Sequence, residues 1–490
     1  MSKRAYLLNL FKDIADAIRA KTGQTRLYEI EELPDRIMDI STGTTTPAQT
    51  KSVEITSNGN QIITPDDGYV LDKVNLSVSV PQNNRNNVLI ETYGGGKSLY
   101  SFIKTIDLSN VDLSKTNSFL NFLSYFESLE SIKFPNFVAP ICVLNAMFQS
   151  CKSLKNIDLS FFQGAVGIRD MFSGCSSLES IKFGKTFDFS SFASDYGTSG
   201  MFYGCNALTS LDLSSWINTN TIKNMSNMFN QCSKLEQLNI TSLDTSNVTK
   251  FSNMFYNCRK LTSLDLRHFD VSKATSLDQM FVQCSSLTFL NLDGWDTSNV
   301  TAIYYMFYEC ESLTELNVNH FNIEKCSSLG VVFTDCRKLK SLDLSNWNTS
   351  NIVSLDQTFS RCESLETLNV STWDTSKVTK MEGTFNQCLN LDNLDLSSWN
   401  TDNVISMSKM FWRGQHDEKN VTFGTNWASN EKLMNFDMSY YNLTHDSALD
   451  LLNKLATRTN NPTLKFHTHT KPKLSADEIK IATDKGWVVS

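Results

Sequence analysis

The chain has 490 residues, 40% hydrophobic and 20% charged, with a net charge of −8. An acidic balance does not suit the basic footprint that nucleic acid requires, so no nucleic-acid partner is expected. No run of about 18 apolar residues occurs, so neither a membrane-spanning helix nor a membrane partner is expected.

Residues 1–40 begin with a helical pattern. Leu7, Leu10, Phe11, Ile14, Ala17 and Ile18 fall on one stripe. Gly23 is a stop signal, and Pro34 suits the first turn of a second short helix. One short amphipathic helix cannot bury its stripe alone, so the segment is expected to attach or oligomerise, with a trimer favoured. Charges interrupt any apolar run at this end, so no signal peptide is expected. The terminal GWVVS carries no wall-sorting or lipidation pattern.

Residues 41–51 are polar and read as a linker. Residues 52–80 switch to period two, with Val53 and Ile55, then Val74, Leu76, Val78 and Val80, alternating with polar residues. The stretch from Thr64 to Gly68 is a turn between these strands. Together they make a small β-module, followed by a second linker over 81–98.

Residues 99–440 are an array. Its fullest unit is L-x-x-L-D-L-S-x-W-D-T-S-x-V-T-x-M-x-x-M-F-x-x-C-x-x, and from Cys232 to Cys388 the cysteines recur every 26 residues. Each unit reads as a short strand, a W-D-T-S turn, and a return whose apolar residues sit at helical or 3₁₀ spacing. In the copy from Leu261 to Leu266, Leu264 and Leu266 point inward and Ser263, Asp265 and Arg267 outward. No unit has enough core to fold alone, so stacked units must share one. The expected core ladders are Phe229, Phe255, Phe281, Phe307, Phe333, Phe359 and Phe385, continued by Phe411, and Cys232, Cys258, Cys284, Cys310, Cys336, Cys362 and Cys388. Ten of the twelve cysteines share the cysteine column, while Cys142 and Cys326 lie outside it. A periodic cysteine is a small buried apolar residue, so reduced thiols are expected. The aromatic column of Trp216, Phe269, Trp295, Phe321, Trp347, Trp373 and Trp399 reads as turn packing. The column decays at Gly414, and residues 441–490 read as an α/β C-terminal cap.

The outward strand face is the first candidate site. Its central column is mostly Asp and Asn, which can bond a glycan or recruit a cation, although any exposed strand face must be polar. In the flanking columns, departures from the consensus cluster at Arg267, Phe289, Asp293, Glu315 and Asn319, around Asn291 and Asn317 of the central column, and Tyr304, Tyr305 and Tyr308 depart beside them. These ten residues are the candidate ligand contacts. His467 and His469, two apart in an expected strand, are a weak metal pair, since two ligands are too few for a site in one chain. No catalytic motif appears in the context it needs, so neither enzymatic activity nor a cofactor is expected.

The repeat resembles the leucine-rich repeats of the BspA-like bacterial surface family, in the variant with MF-x-x-C and LDLS-x-W-DTS-x-VT. The resemblance covers about two thirds of the chain. It implies a leucine-rich-repeat solenoid with about 26 residues per repeat that acts as a binding surface. The N-terminal stretch LLNLFKDIADAIRAKTGQTRLYEIEELPDRI and the β-module resemble an arrangement at the start of phage tail and baseplate proteins. The C-terminal stretch is similar to the end caps of phage-borne repeat proteins. These resemblances imply a virion protein of a bacteriophage (tail, baseplate, tail fibre or, on the head, a capsid decoration). Residues 1–80 would contact other virion proteins, and the solenoid would bind a bacterial surface glycan or protein as receptor. A BspA-like bacterial adhesin is the alternative.

Overall fold

The structure, a computed structural model, describes residues 48–55, 70–78 and 104–490, apart from 112, 114–115, 117, 136–138, 140, 193–194 and 413–416. The helical segment of residues 1–40, the Thr64–Gly68 turn, the linker at 81–98 and Gly414 therefore lie outside the described residues. The linker read over 41–51 ends earlier than expected, because the strand Ala48–Ile55 has already begun. That strand pairs in parallel with Val70–Val78, which pairs with Thr105–Val111, which pairs with Ser131–Lys133.

From there the chain climbs one rung per repeat. Most full repeats contribute a three-residue strand, and in Ser263–Asp265 and Ser341–Asp343 its middle leucine is buried and its flanks are exposed. Neighbouring strands are parallel because every copy returns to its start one rung further on. The identical period sets the register, pairing Leu264 with Leu290 and Leu342 with Leu368.

The M-x-x-M-F-x-x-C segment corrects the expectation of a helical or 3₁₀ return, keeping only the three-residue bonds of the latter. It is a run of linked turns. In the copy from Met225 to Cys232, Met228 N–H, Asn230 N–H and Cys232 N–H each close a turn on the carbonyl three residues back. The intervening Asn227, Phe229 and Gln231 N–H groups instead donate to Ser252, Met254 and Tyr256 of the next repeat. This alternation needs a left-handed backbone at two columns, seen at Asn227 and Gln231 (φ 58° and 63°), Asn253 and Asn257, and Gln279 and Gln283. Asn visits that region more readily than most residues, and Gly most readily, as at Gly383. The repeats are thus strand-and-turn units, not α/β units. Half of the segment's N–H groups stitch rung to rung, which a helix could not do.

Side chains complete the stitching. Phenylalanine rings stack along the array, with centroids 5.6 Å apart for Phe229 and Phe255, 5.7 Å for Phe255 and Phe281, and 5.7 Å for Phe359 and Phe385. Each such pair adds about 0.5–1.5 kcal/mol beyond its buried area. In the D-T-S turn, the buried Thr297 Oγ1 accepts from Asn322 N–H (2.7 Å) and donates to Asn322 O (3.0 Å). Thr245 and Thr375 clasp Asp270 and Asn400 in the same way. One edge column alternates: Asn247, Lys273, Asn299, Lys325, Asn351, Lys377, Asn403. Each lysine there donates to the preceding asparagine's Oδ1, as Lys325 does to Asn299 at 2.8 Å. Each following asparagine donates to a backbone carbonyl of the rung before it, as Asn351 does to Glu324 O at 2.9 Å.

At the C-terminal end, Asn435–Met438, Thr463–Phe466 and Val488–Val489 form a parallel three-stranded sheet. The helices His445–Lys454 and Ala476–Asp484 accompany it, the second opened by a Ser475–Glu478 capping box. Basic groups tie this unit together. The buried Arg458 donates to Ala428 O and Leu433 O, and Lys485 Nζ donates to Leu452 O and Asn453 O at the end of the first helix. Among the described residues, no helix is long and apolar enough to cross a membrane.

Candidate functional site

The outward strand face is more committed to structure than its polarity suggests. In its central column the side chain ends its own strand by accepting from the N–H two residues on. Asp158 accepts from Ser160, Asp212 from Ser214, Asn291 from Asp293, Asp343 from Ser345 and Asp395 from Ser397, at 2.8–3.1 Å. These are Asx turns, and Asp and Asn serve equally because only the accepting oxygen matters. The bond from Ser214 N–H, with that from its hydroxyl, holds Asp212 below the usual carboxylate range.

The departures from consensus do gather, on three successive rungs. Arg267 Nη2 lies 2.7 Å from Asp265 Oδ2. Phe289, in register beside Ser263, presents its ring to solvent at 50% exposure. One rung on, Glu315 takes Phe289's column position and is exposed. Asn317 Nδ2 donates to Asp293 Oδ1 (3.0 Å), and Asn319 Nδ2 to Asp343 Oδ2 (3.2 Å). Asn319 Oδ1 accepts from Asn346 N–H. Residues 315–317 hold the strand position of their rung yet form no strand, and paired strands resume only at Ser341–Asp343. The site is therefore an exposed phenyl ring set among fixed carboxylates, amides and one guanidinium, at a break in the strand ladder.

Tyr304, Tyr305 and Tyr308 do not join it, which corrects their grouping with the strand face. They sit on the turn run, where Tyr305 takes a left-handed position (φ 57°). Their rings pack edge to face, with centroids at 4.1 Å for Tyr304 and Tyr305 and 5.3 Å for Tyr305 and Tyr308.

The remaining residues singled out by sequence lie elsewhere. The phenylalanine column from Phe229 to Phe385 is buried, and so are all twelve cysteines, none in a disulfide. Each column cysteine does more than fill space. From Cys175 onward its Sγ donates to the phenylalanine carbonyl of the preceding repeat, as Cys258 does to Phe229 O and Cys284 to Phe255 O, both at 3.1 Å, while Cys151 donates to Leu123 O. Burial pushes the Cys232 and Cys284 thiols up to about 12. The tryptophans of the aromatic column are buried, and Trp295, Trp347, Trp373 and Trp399 donate inward, as Trp347 Nε1 does to Val318 O at 2.8 Å, whereas Trp216 Nε1 does not. His467 and His469 fall after the strand Thr463–Phe466, with His469 in a turn, because the chain bends there to begin a helical turn at Lys471. Their rings meet edge to face, and His467 Nδ1 accepts from His469 N–H. Among the described residues, no group of three His, Cys, Asp or Glu side chains is placed to hold a metal ion.

Sequence reasoning missed the threonine clasps and the Asn–Lys alternation, although both are legible once the copies are aligned at 26 residues.

Comparison with known proteins gives two family matches. The model described as "Mycoplasma protein of unknown function, DUF285" matches residues 168–291, 196–321 and 327–449. The model described as "BspA type Leucine rich repeat region (6 copies)" matches residues 98–196. No curated protein matches the chain. Among solved structures, a TLR13–ssRNA13 complex matches at 18% identity and a TM-score of 0.25, covering 81% of this chain and 61% of that one. The chain thus spans about three fifths of that protein's length. A leucine-rich repeat protein from Eubacterium ventriosum matches at 15% identity and a TM-score of 0.31, covering 68% and 82%. An internalin from Listeria monocytogenes matches at 12% identity and a TM-score of 0.23, covering 74% and 81%.

Proposed function

Because the chain belongs to the family described as Mycoplasma protein of unknown function, DUF285, and carries a BspA-type leucine-rich repeat region, we propose that it is a non-enzymatic recognition scaffold. Its strand face between Arg267 and Asn319 binds a glycan or protein on a bacterial surface. The observation that carries this reading is Phe289. An aromatic ring half exposed among short polar side chains adds nothing to the buried ladder, and such a ring stacks on sugar or peptide surfaces. The carboxylates and amides around it are held by neighbours, so they are oriented before a ligand arrives, which lowers the ordering cost of binding. Many such chains on one particle would multiply a weak contact through avidity.

The setting we propose is a phage particle, at the tail, baseplate or fibre. Residues 1–80 attach to other virion proteins, and the solenoid projects towards the host. The resemblance of the N-terminal stretch to phage tail proteins supports this setting. A BspA-like protein on a bacterial cell surface is the second reading, favoured by the repeat-family match.

Two experiments separate these statements. Full-length protein is applied to arrayed bacterial glycans and cell-wall fractions alongside Phe289→Ser and Glu315→Ser, substitutions that restore the Ser263 and Ser341 consensus. Binding that both variants retain in full refutes the strand-face site. Immunogold labelling of particles from the source culture tests the setting. Label on tails supports the virion reading, label on heads turns it into a capsid decoration, and label on cells with bare particles establishes the adhesin.

A further inference from the structure

The tyrosines of the turn run lie away from the strand face and call for a separate account. In the repeat with Ser226, Asn227 and Asn230 the same positions are small and polar, whereas here they carry Tyr304, Tyr305 and Tyr308. Tyr304 is 42% exposed, and the half-buried Tyr305 packs against both it and the half-buried Tyr308. Tyr305 and Tyr304 stand at 90°, and Tyr308 and Tyr305 at 80°, so the rings turn faces in different directions at one spot. Room for Tyr304 is built in one rung on: a Cβ at Gly330 would lie 3.1 Å from Tyr304 Cε2. Carboxylates flank the rings along the same columns. Asp278 Oδ1 accepts from Tyr304 N–H (2.8 Å), and Asp356 Oδ1 accepts from Glu382 N–H (3.0 Å). Glu309, beside Tyr308, accepts from Gln283 Nε2 (2.9 Å).

We propose that Tyr304, Tyr305 and Tyr308, with Asp278, Glu309 and Asp356 around them, form a second recognition site, for a quaternary ammonium group. Aromatic faces attract such cations through the ring quadrupole, and fixed carboxylates supply the opposite charge. Alkylated ammonium fits because it asks for ring faces and negative field and brings no N–H groups to satisfy. Burial, the hydrogen bond to Tyr305, and the charges of Tyr305 and Asp356 push the Tyr304 hydroxyl up to about 12. Its bond to Glu309, with burial and further negative neighbours, raises Tyr308 too. The field that disfavours a phenolate favours a bound cation.

The test uses full-length protein on a resin bearing trimethylammonium groups, eluted by choline chloride or by sodium chloride. The main variant combines Tyr304→Ser, Tyr305→Asn and Tyr308→Asn, the residues that the array already carries at 226, 227 and 230, with its melting curve as the check on folding. Choline is expected to elute the native chain at a roughly tenfold lower concentration than sodium chloride, the triple variant to lose that difference, and Phe289→Ser to keep it. Elution by both salts at one ionic strength, or a folded triple variant that keeps the choline preference, overturns the proposal. A native chain that recognises choline but binds no bacterial surface fraction would refute the strand-face reading alone.

Discussion

Replacing Thr297 by valine separates a polar clasp from simple packing. The two side chains have nearly the same shape, and Thr297 is 2% exposed, so a packing argument makes the change neutral or stabilising. The clasp argument says the opposite. The hydroxyl serves both backbone groups of Asn322, and valine serves neither. Stranding a buried backbone group costs about 1–3 kcal/mol. Asn322 reaches solvent, so water rescues part of the loss, and the expected sum is about 2 kcal/mol. Thr297→Ser keeps the clasp and deletes one methyl, for about 1 kcal/mol. A repeat array need not unfold in one step, so the readout should be local. Hydrogen exchange at the Asn322 amide should quicken in the valine variant by roughly an order of magnitude or more and change little in the serine variant. Thr375→Val should act alike on Asn400. A valine variant as stable as the native chain, with Asn322 protection unchanged, would refute the reasoning.

Three other outcomes are expected. Denatured, unreduced protein should titrate all twelve thiols, while the folded chain reacts slowly because its column thiols are buried and raised; a shortfall after denaturation would mean disulfides. Asp212, Asp296 and Asp374 are held low, first by the backbone N–H two residues on, so each gives stability that is complete above the unfolded value of about 3.9 and lost as pH falls through the folded one. The melting temperature should therefore drop below about pH 4, and less so when Asp296 and Asp374 become Asn, the residue of Asn348 and Asn400; an identical acid profile would count against the Asx turns. Asn299→Lys sets three ammonium groups on consecutive rungs, so it should destabilise the array by about 0.5–1 kcal/mol at low salt and recover in salt, and a salt-independent effect would point to packing instead.

Much of the fold was legible in the repeat. A fixed period of 26 sets the register, and the alternation around Leu264 and Leu266 separates core from surface, so the buried columns follow from counting. The return segment misled because Met225, Met228, Phe229 and Cys232 satisfy helical spacing equally well. The discriminating sign lay between them, in the Asn, Gln and Gly residues at the two columns that adopt positive φ, such as Asn253, Asn257 and Gly383. The strand-face cluster from Arg267 to Asn319 was readable as departures from consensus. Placing the tyrosines on a different side was not, because that depends on how far the chain turns between Leu292 and Tyr304. The Asp and Asn column was read for its charge, when its spacing to the following N–H was the property in use.

The alternation of Asn and Lys along one edge bears on how such an array can lengthen. A lysine there leans on the asparagine before it, and that asparagine has a lysine-bearing rung on its other side. Duplicating a single lysine-bearing copy would seat two lysines side by side and leave one ammonium without its amide, and duplicating a single asparagine-bearing copy would set two amides side by side. Duplicating two copies preserves every neighbour. Over residues 247–403 the array therefore keeps its alternation when it grows by pairs of copies and breaks it when it grows by one.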